Sequence, residues 1–230
     1  MRVKAYGRGV RDDGDTGGER PLPRLQVRGL SKSYAGRPVV TDVSLEVGAG
    51  EVVALVGPNG VGKTTLLTCL LDTERPDAGT VRLDGTPLRD QDPEMRRAVC
   101  AVLDDAGFYP DVTALEHLDV LARVHGVADP DDLVDAALAA LRIEHVADQV
   151  PWTLSSGQRR RLSLAVALVR PWSLLVLDEP EQRLDAAGRS WLADYLAAQA
   201  GSGRSVLMAS HDATLVARSG ARVVELHGDV

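Results

Sequence analysis

VVALVGPNGVGKTT, residues 52–65, is the stretch that decides the fold of this chain. The five apolar residues from Val52 to Val56 predict a strand with both faces covered, as in a parallel sheet. The next eight residues follow the pattern Gly-x-x-x-x-Gly-Lys-Thr, and apolar residues at helical spacing after it predict a helix beginning near Lys63. A strand, a glycine-rich loop and a helix in this order are typical of a phosphate-binding loop.

This loop supplies the groups that bind the phosphates of a nucleotide. Its glycines let backbone N–H groups approach the phosphates, and the following helix points its N-terminus at the same anion. We expect Lys63 to lie between the β- and γ-phosphates, where it also serves catalysis, and the Thr64 hydroxyl to bind Mg²⁺. The predicted ATP-contacting residues are Gly57, Pro58, Asn59, Gly60, Val61, Gly62, Lys63, Thr64 and Thr65. A chance glycine-rich turn with a solvated lysine is the competing interpretation, and the flanking strand and helix disfavour it.

A second apolar strand ends in two carboxylates. Leu174–Leu177 predicts a buried strand, and Asp178 and Glu179 follow where that strand emerges at the ligand edge of the sheet. We expect Asp178 to hold Mg²⁺ and Glu179 to orient or deprotonate the attacking water. Alone, a strand that ends in Asp-Glu is common. Together with the phosphate loop, it predicts an ATPase.

Strands and helices alternate along most of the chain, which predicts an α/β fold. Further strands are predicted at 80–83, 98–103, 205–209 and 222–226, and a helix at about 186–200. This alternation implies a phosphate-loop NTPase core with a mostly parallel sheet that is covered on both faces. Residues 25–27 and 39–47 predict an N-terminal antiparallel β region, and residues 112–150 have a helical pattern without a strand. We therefore expect an inserted helical lobe at about residues 105–170.

Composition narrows the class of protein. The chain has 230 residues, 44% of them hydrophobic, which suits one globular domain. Residues 1–22 lack periodicity and are predicted to be a disordered tail, which leaves residues 23–228 as a single domain. The net charge of −7 disfavours a nucleic-acid partner. No apolar run approaches ~20 residues and no signal sequence is visible, so we expect a cytosolic protein that reaches a membrane only through a partner. Cys69 and Cys100 are interpreted as small buried hydrophobes rather than metal or redox residues.

A short motif between the two ATPase elements carries a family resemblance. It consists of Leu154, Ser155, Ser156, Gly157 and Gln158. This motif resembles the signature Leu-Ser-Gly-Gly-Gln of the ATP-binding-cassette family, and the resemblance extends from about Leu25 to Leu226. In that family two cassettes dimerise head to tail, so that ATP lies between the phosphate loop of one subunit and the signature of the other. The resemblance implies that residues 154–158 contact ATP bound to a second subunit, in a homodimer or a heterodimer.

Four further residues match functional positions of the family. Tyr34 matches the aromatic residue that stacks on adenine, and Glu179 matches the catalytic glutamate. Asp185 matches the loop after that glutamate, which acts across the dimer, and His211 matches the switch histidine at the γ-phosphate. Alone, a tyrosine beside a strand usually packs, and a histidine is usually solvated or buried; the shared order and spacing favour function. Arg159–Arg161, after the signature, are interpreted as a solvated helix face rather than a second phosphate site.

The chain departs from the family pattern at two positions. Ser156 replaces the first signature glycine, which a small side chain tolerates if its φ is negative. Asp104 aligns with the glutamine that contacts Mg²⁺ and the attacking water in the family. Since an aspartate is shorter and charged, we expect it to bind Mg²⁺ but to reach the water differently. With an acidic residue at this position, the chain resembles the bacterial cassettes of drug, antibiotic and small-lipid export. This resemblance favours an exporter over an importer.

An aromatic pair, Phe108 and Tyr109, follows at the edge of the predicted lobe. The chain contains one phenylalanine and four tyrosines, so two adjacent rings stand out. In the family, the coupling helix of a transmembrane permease docks in this neighbourhood. Either both rings pack under the lobe, or they form an exposed docking site for such a permease, and the sequence leaves both interpretations open.

The resemblance implies the ATP-hydrolysing subunit of a membrane transporter, with ATP and Mg²⁺ as cofactors. Such a subunit would lie on the cytoplasmic face of the membrane and convert ATP and water to ADP and phosphate to drive its permease. The alternative is a non-transport cassette of translation, repair or iron–sulfur assembly. The chain has a single cassette and no long insertion, which disfavours this alternative. A degenerate cassette that binds ATP without hydrolysis is the third possibility, and Lys63, Glu179 and His211 argue against it.

Overall fold

The apolar runs of the sequence form a six-stranded sheet. The computed structural model describes residues 22–103 and 107–228 and, by backbone alone, residues 2–6. In spatial order the strands are β1 (Arg2–Tyr6), β10 (Arg222–His227), β4 (Val52–Val56), β9 (Ser205–Ala209), β8 (Leu174–Asp178) and β7 (Val99–Val102). The five strands from β10 to β7 run parallel to one another, and β1 runs antiparallel at the edge. The predicted parallel sheet is therefore present.

The first strand lies in the segment that we expected to stay outside the fold. β1 pairs with β10 from Arg2, opposite His227, to Tyr6, opposite Val223. This strand differs from the tail predicted for residues 1–22, because an edge strand is held by backbone hydrogen bonds and needs no hydrophobic periodicity. The other residues of that tail, 1 and 7–21, lie outside the described residues, and for them the tail stays a prediction.

A second, antiparallel sheet covers one face of the first. Its strands, in order, are β3 (Arg37–Val47), β2 (Leu25–Tyr34), β5 (Ala78–Leu83) and β6 (Thr86–Pro87). β4 joins the two halves of the core because its side chains alternate between faces. Val53 and Leu55 pack with the antiparallel sheet, whereas Val52 and Ala54 pack with the helical side. This alternation buries the first four residues of β4 and part of Val56, as the unbroken apolar sequence predicted.

Seven α-helices are found among the described residues. They are α1 (Lys63–Leu70), α2 (Pro93–Ala98), α3 (Ala114–Val124), α4 (Asp131–Ala140), α5 (Ser156–Val169), α6 (Ala186–Gly201) and α7 (Ala213–Arg218). Helices α3, α4 and α5 pack against one another through residues such as Leu118, Leu138 and Leu162, with no strand within residues 107–173. These three helices are the inserted lobe that the sequence predicted. None of the helices in the described part of the chain is long and apolar enough to span a bilayer.

The order of the parallel strands brings distant parts of the chain to one edge of the sheet, the edge formed by the carboxyl ends of these strands. Leu55 on β4 lies opposite Ala209 on β9, and Ala209 lies opposite Asp178 on β8. Parallel strands place their carboxyl ends together, and ligands of α/β proteins bind in the crevice outside those ends. The residues that follow β4, β8 and β9 therefore meet at this edge, although more than 100 residues separate the first from the others.

Candidate functional site

The loop between β4 and α1 has a backbone that requires glycine. Gly62 has φ 100°, and a Cβ there would lie 3.0 Å from the carbonyl oxygen of Val39. A Cβ on Gly57 would lie 2.5 Å from the carbonyl oxygen of Leu226. Gly62 is also the N-cap of α1 and offers that helix no side-chain cap. The first N–H groups of α1 are thus left for another acceptor, as an anion-binding loop requires.

Lys63 lies at the centre of the site, with its side chain only 6% exposed. Its Nζ donates to the carbonyl oxygens of Gly57, at 2.9 Å, and Pro58, at 3.3 Å. The same nitrogen lies 2.7 Å from His211 Nε2 and 3.6 Å from Glu179 Oε1. The ammonium is therefore held over the loop and at the same time meets the ends of β8 and β9.

Glu179 and His211 form a pair next to that ammonium. His211 Nε2 lies 3.0 Å from Glu179 Oε1. Burial, and then the neighbouring Glu181 carboxylate, raise the pKa of Glu179 above its usual value, while His211 and Lys63 oppose the rise. Glu179 also has φ 44°, in the left-handed region that is unusual for a residue with a side chain. A carboxylate whose pKa is raised by its site is a candidate general base.

Thr64 and Asp178 meet across the edge of the sheet. The Thr64 hydroxyl donates to Asp178 Oδ2 at 2.6 Å. The other oxygen, Asp178 Oδ1, is buried and has no hydrogen-bond partner within the described residues. An unpartnered carboxylate oxygen beside a hydroxyl suits Mg²⁺, which takes oxygen ligands and is usually held by one or two side chains plus phosphates. The third predicted magnesium residue, Asp104, lies outside the described residues.

Two of the signature residues form a capping box at the start of helix α5. Ser155 is the N-cap of α5: its Oγ accepts from Gln158 N at 3.2 Å, and Gln158 Oε1 accepts from Ser155 N at 2.8 Å. Leu154 is buried, whereas Ser155 and Ser156 are exposed. Gly157 lies against the loop after β8, since a Cβ there would approach the carbonyl oxygen of Arg183 to 3.1 Å. The two hydrogen bonds of the capping box are local, the Gln158 amide also lies 3.3 Å from His145 Nε2, and the polar end of the cap is exposed.

Trp152 lies just before the cap and is more than half exposed, at 54%. It belongs to a short 3-10 turn, Pro151–Thr153, that leads into the signature. The guanidinium of Arg159 reaches back to the Trp152 carbonyl at 3.5 Å. A large exposed aromatic ring therefore lies beside the signature.

Asp185 lies in the loop that the sequence assigned to the dimer contact. Its Oδ1 accepts from Gly188 N at 2.8 Å and from Arg161 Nη2 at 2.7 Å. The Gly188 hydrogen bond and the Arg161 charge lower the pKa of Asp185 below its usual value. Asp185 therefore caps α6 and is linked to α5 through Arg161, close to the signature.

The prediction of a solvated arginine face after the signature is wrong for two of its three residues. Arg160 is 3% exposed and donates to the carbonyls of Asp178 and Glu179. Arg161 donates to Leu141 O at 2.7 Å and to Asp185. Both point inward because α5 is covered on several sides by the lobe and by the loop after β8, which the local run of charges did not reveal.

Sequence analysis also missed Glu181, which is 8% exposed. Its Oε1 accepts from Ser210 Oγ at 2.7 Å, His211 N at 3.0 Å and Asp212 N at 3.2 Å. One carboxylate oxygen thus fixes the turn that carries His211 beside Glu179. The signal that could have found it is a carboxylate two residues after Glu179, in a segment that must pass close to the end of β9.

Tyr34 lies on the surface rather than in the core. Its side chain is 45% exposed, and the Lys32 ammonium lies 5.1 Å from the ring centroid. The β2–β3 hairpin that carries Tyr34 touches the phosphate loop, because Val39 of β3 lies against Gly62. An exposed ring on this hairpin fits the predicted adenine platform, which stays a prediction.

The two aromatic residues after β7 differ in burial. Phe108 is partly buried and packs on the core of the lobe, 5.3 Å from the His117 ring in an edge-to-face arrangement. Tyr109 is 52% exposed and lies 5.5 Å from the same ring. Both line a groove of about 460 Å³ between α1, α2, β7 and the lobe. The packing interpretation therefore describes Phe108, and the exposed interpretation describes Tyr109.

Both cysteines are buried, which fits their interpretation as small core residues. Burial raises the pKa of the Cys100 thiol to about 11. A thiol this far from ionisation is a poor nucleophile and a poor metal ligand.

Residues 40–182 match the family model described as ABC transporter. The chain is 36% identical over 202 residues to the SkfA peptide export ATP-binding protein SkfE of Bacillus subtilis, covering 87% of this chain and 84% of SkfE. It is 37% identical over 190 residues to the cytochrome c biogenesis ATP-binding export protein CcmA of Cupriavidus necator, covering 83% and 84%. Against the Nod factor export ATP-binding protein I of Cupriavidus metallidurans, identity is 35%, and the chain spans 62% of that longer protein.

Solved structures share the fold. A structure described as the ATP-binding subunit of an ABC transporter superposes with a TM-score of 0.79 at 27% identity, covering 88% of this chain and 85% of the other. A dimeric ATP-binding cassette bound to ADP and phosphate gives a TM-score of 0.75 at 24% identity, covering 84% and 90%. These likenesses confirm the predicted fold class, including the antiparallel sheet and the helical lobe.

Proposed function

The chain belongs to the ABC transporter ATP-binding family, and from this premise we propose that it is a Mg²⁺-dependent ATPase subunit that drives a membrane exporter. The observation that carries the proposal is the meeting of Lys63, Glu179 and His211 within 3.6 Å at the edge of the parallel sheet. These residues come from three separate segments, and the groups they bring together are a cation, a candidate base and a polar ring. Phosphoryl transfer to water needs such groups at one place.

Each residue at this edge has a distinct role in hydrolysis. The Lys63 ammonium, which bonds loop carbonyls in the chain alone, would turn to the β- and γ-phosphates. Glu179, whose pKa is raised, would accept a proton from the attacking water or orient it. His211 would orient Glu179 and contact the γ-phosphate. Thr64 and Asp178 would hold Mg²⁺, which neutralises charge on the phosphates when bound.

We further propose that two subunits complete the site. The signature cap, Ser155 to Gln158, begins a 14-residue helix and leaves its polar end exposed. A helix N-terminus that is exposed in this way can bind the γ-phosphate of a nucleotide on a second subunit. Asp185 would act across the same interface, and Tyr34 would stack on adenine. ATP would then hold the dimer together, and its hydrolysis would release the subunits.

The partner in the membrane is proposed to be a permease that docks at the groove beside Tyr109. Support comes from the exposed ring itself and from relatives whose names describe export of peptides or of Nod factors. Tyrosine is enriched in protein–protein interfaces, and the Tyr109 ring is half exposed. The chain would thus act on the cytoplasmic face of a membrane, held there by its partner.

Changing Glu179→Gln tests the ATPase proposal. We expect ATP hydrolysis to fall by about 10²–10⁴, while ATP affinity stays within a few-fold and a stable dimer accumulates with ATP and Mg²⁺. Turnover would be measured by phosphate release and the dimer by size-exclusion chromatography. Glu94→Gln, at an exposed position of α2, is the matched control and should behave as wild type. Unchanged turnover in Glu179→Gln would remove Glu179 from its role as base.

Docking is tested by Tyr109→Ala, and by the double change Phe108→Ala with Tyr109→Ala. The single change removes an exposed ring only, so ATPase activity of the isolated chain should persist while co-purification with membrane partners is lost. Leu133→Ala, which shortens another exposed apolar side chain of the lobe, should retain the partners. Loss of folding in the double variant alone would assign Phe108 to the core and leave docking to Tyr109. Retention of the partners by Tyr109→Ala would contradict the docking site.

A further inference from the structure

Arg160 connects the signature helix to the catalytic loop. It lies on α5, five residues after the cap residue Ser155, and is 3% exposed. Its Nη2 donates to the carbonyl oxygens of Asp178 and Glu179, each at 2.7 Å. Its Nε donates to the carbonyl oxygen of Pro180 at 3.3 Å. One planar guanidinium thus contacts three consecutive carbonyls, a geometry that its fixed fork of donors allows and a lysine cannot reproduce.

The middle one of these carbonyls belongs to a residue in an unfavourable conformation. Glu179 has φ 44°, and a residue other than glycine stays in this region only where its surroundings fix it. Its N–H donates to Ala209 O at 2.9 Å, and its carbonyl accepts from Arg160. The two backbone bonds fix the peptide groups on both sides of Glu179. They therefore fix the direction in which the Glu179 side chain leaves the backbone, and from there its carboxylate reaches Lys63 and His211.

The same helix touches the loop at a second place. Gly157, in the first turn of α5, packs closely on Arg183: a Cβ at this position would lie 3.1 Å from the Arg183 carbonyl oxygen. The N-terminal turn and the guanidinium one turn further on both bear on residues 178–183. A shift of the signature end of α5 must therefore move the backbone of the catalytic loop, because packed elements transmit displacement.

We propose that Arg160 is a positioning residue that holds the Glu179 carboxylate in its working direction and links it to the signature end of α5. This inference rests on the proposed function, in which Glu179 serves the subunit's own ATP and the signature serves the ATP of the partner. Arg160 then couples the two ATP sites of a dimer. Contact between the partner's nucleotide and the signature would set the direction of Glu179 in the same subunit.

Two substitutions test this role. Arg160→Lys keeps a charge of similar reach without the fork, and Arg160→Met keeps the length without the donors. In both we expect kcat to fall by between about 10-fold and 100-fold, with KM and ATP affinity within about two-fold of wild type. Melting temperatures would report whether each variant folds. Arg159→Met, one residue earlier on the same helix and not in contact with the catalytic loop carbonyls, is the control and should keep wild-type kcat.

A double-mutant cycle with Glu179→Gln separates positioning from general damage. If Arg160 acts through the Glu179 carboxylate, Arg160→Lys should not lower the residual rate of Glu179→Gln further, because the group it orients is already lost. Independent, multiplicative losses would overturn the proposal. So would wild-type kcat in both single variants, or unfolding of both, which would make Arg160 a structural residue.

The wild-type protein distinguishes this inference from the function on which it rests. If the wild type neither binds nor hydrolyses ATP, the proposed function and the role of Arg160 fail together. If the wild type hydrolyses ATP and the Arg160 variants match it, the role of Arg160 alone fails.

Discussion

The sheet edge that carries the phosphate loop and the helical lobe that carries the signature are built in opposite ways. At the edge, the bonds join residues far apart in sequence: Lys63 with His211, 148 residues away, and Thr64 with Asp178, 114 residues away. In the lobe, Ser155 bonds Gln158, three residues away. The edge therefore depends on the whole fold, whereas the signature cap forms from a single helix turn.

This difference shows what each region can do alone. The edge brings the Lys63 ammonium, the Glu179 carboxylate, which is the proposed base, and the proposed magnesium pair of Thr64 and Asp178 together inside one chain. The signature is equally well formed, but its polar end is exposed and bonded to itself. In the proposed dimer, each chain would carry two half-sites, of which one holds the chemical groups and the other offers only a binding surface.

After Glu179→Gln, the largest effect is expected from disabling each region separately. Lys63→Ala removes the buried ammonium and should lower ATPase activity by about 10²–10³. Ser155→Arg places a large cation on the signature cap and should lower activity to a similar degree while leaving ATP binding to the single subunit intact. Phosphate release and binding of a fluorescent ATP analogue measure the two properties.

Mixing the two inactive variants is the decisive form of this test. If ATP lies between subunits, a mixed dimer contains one intact site, built from the phosphate loop of the Ser155→Arg chain and the signature of the Lys63→Ala chain. A 1:1 mixture should therefore regain a measurable part of wild-type activity. A mixture that stays as inactive as its components would contradict a site shared between two subunits.

A smaller effect is expected from the magnesium pair at the edge. Asp178→Asn and Thr64→Ala each remove an oxygen ligand or its orientation, and the Mg²⁺ concentration needed for half-maximal activity should rise by about 10- to 100-fold. Excess Mg²⁺ should partly restore Thr64→Ala, which retains the carboxylate. Asp129→Asn, at an exposed loop position, should leave the Mg²⁺ requirement unchanged. An unaltered requirement in both variants would mean that this pair does not hold the ion.

The lobe contains two caps of the same design, which allows a matched comparison of about 1 kcal/mol. Thr113 and Glu116 form a capping box on α3, as Ser155 and Gln158 do on α5. Thr113→Ala and Ser155→Ala should each lower the free energy of unfolding by about 1 kcal/mol. For a chain of this length, that corresponds to a fall in Tm of about 2–4 °C. Only Ser155→Ala should also lower ATPase activity; equal loss in both would reduce the signature to a structural cap.

The smallest effect is a pH dependence of the lobe. His117 on α3 is 3% exposed, its Nδ1 has no hydrogen-bond partner among the described residues, and burial lowers its pKa. The unfolded chain therefore binds a proton at His117 more readily than the folded chain does. Folding stability is lost as the pH falls below about 6.5. Between pH 7.5 and pH 5.5, Tm should fall a few degrees less in His117→Phe than in wild type. If Tm depends on pH in the same way in both proteins, the protonation of His117 does not change on unfolding.

Much of the edge could be predicted from sequence because it follows unbroken apolar strands. VVALV before Gly57 and LLVL before Asp178 mark buried parallel strands, and the carboxyl ends of such strands meet. The family resemblance then placed His211 at the same edge, where it bonds Lys63. Local patterns sufficed since each motif sits directly at a strand end.

The contacts that the sequence did not reveal are those set by tertiary covering. Arg160 stands in a run of three arginines, which is typical of a solvated face, yet the loop after β8 covers it. Glu181 follows Asp178 and Glu179 after one proline, and only the closeness of β8 and β9 turns it into an acceptor for the His211 turn. β1 likewise forms because an edge of the sheet offers it backbone partners, not because of a local pattern.

The exposed ring of Trp152 gives the chain a natural optical probe. Of its three tryptophans, Trp172 is buried at 5% exposure and Trp191 is partly buried and stacks on Tyr195 at 5.2 Å, so Trp152 is the most exposed. An indole emits at longer wavelength in water than in an apolar environment. Closure of a second subunit over the neighbouring signature would shift that emission to the blue. Each cycle of ATP binding and release could then be followed in real time without attaching a dye.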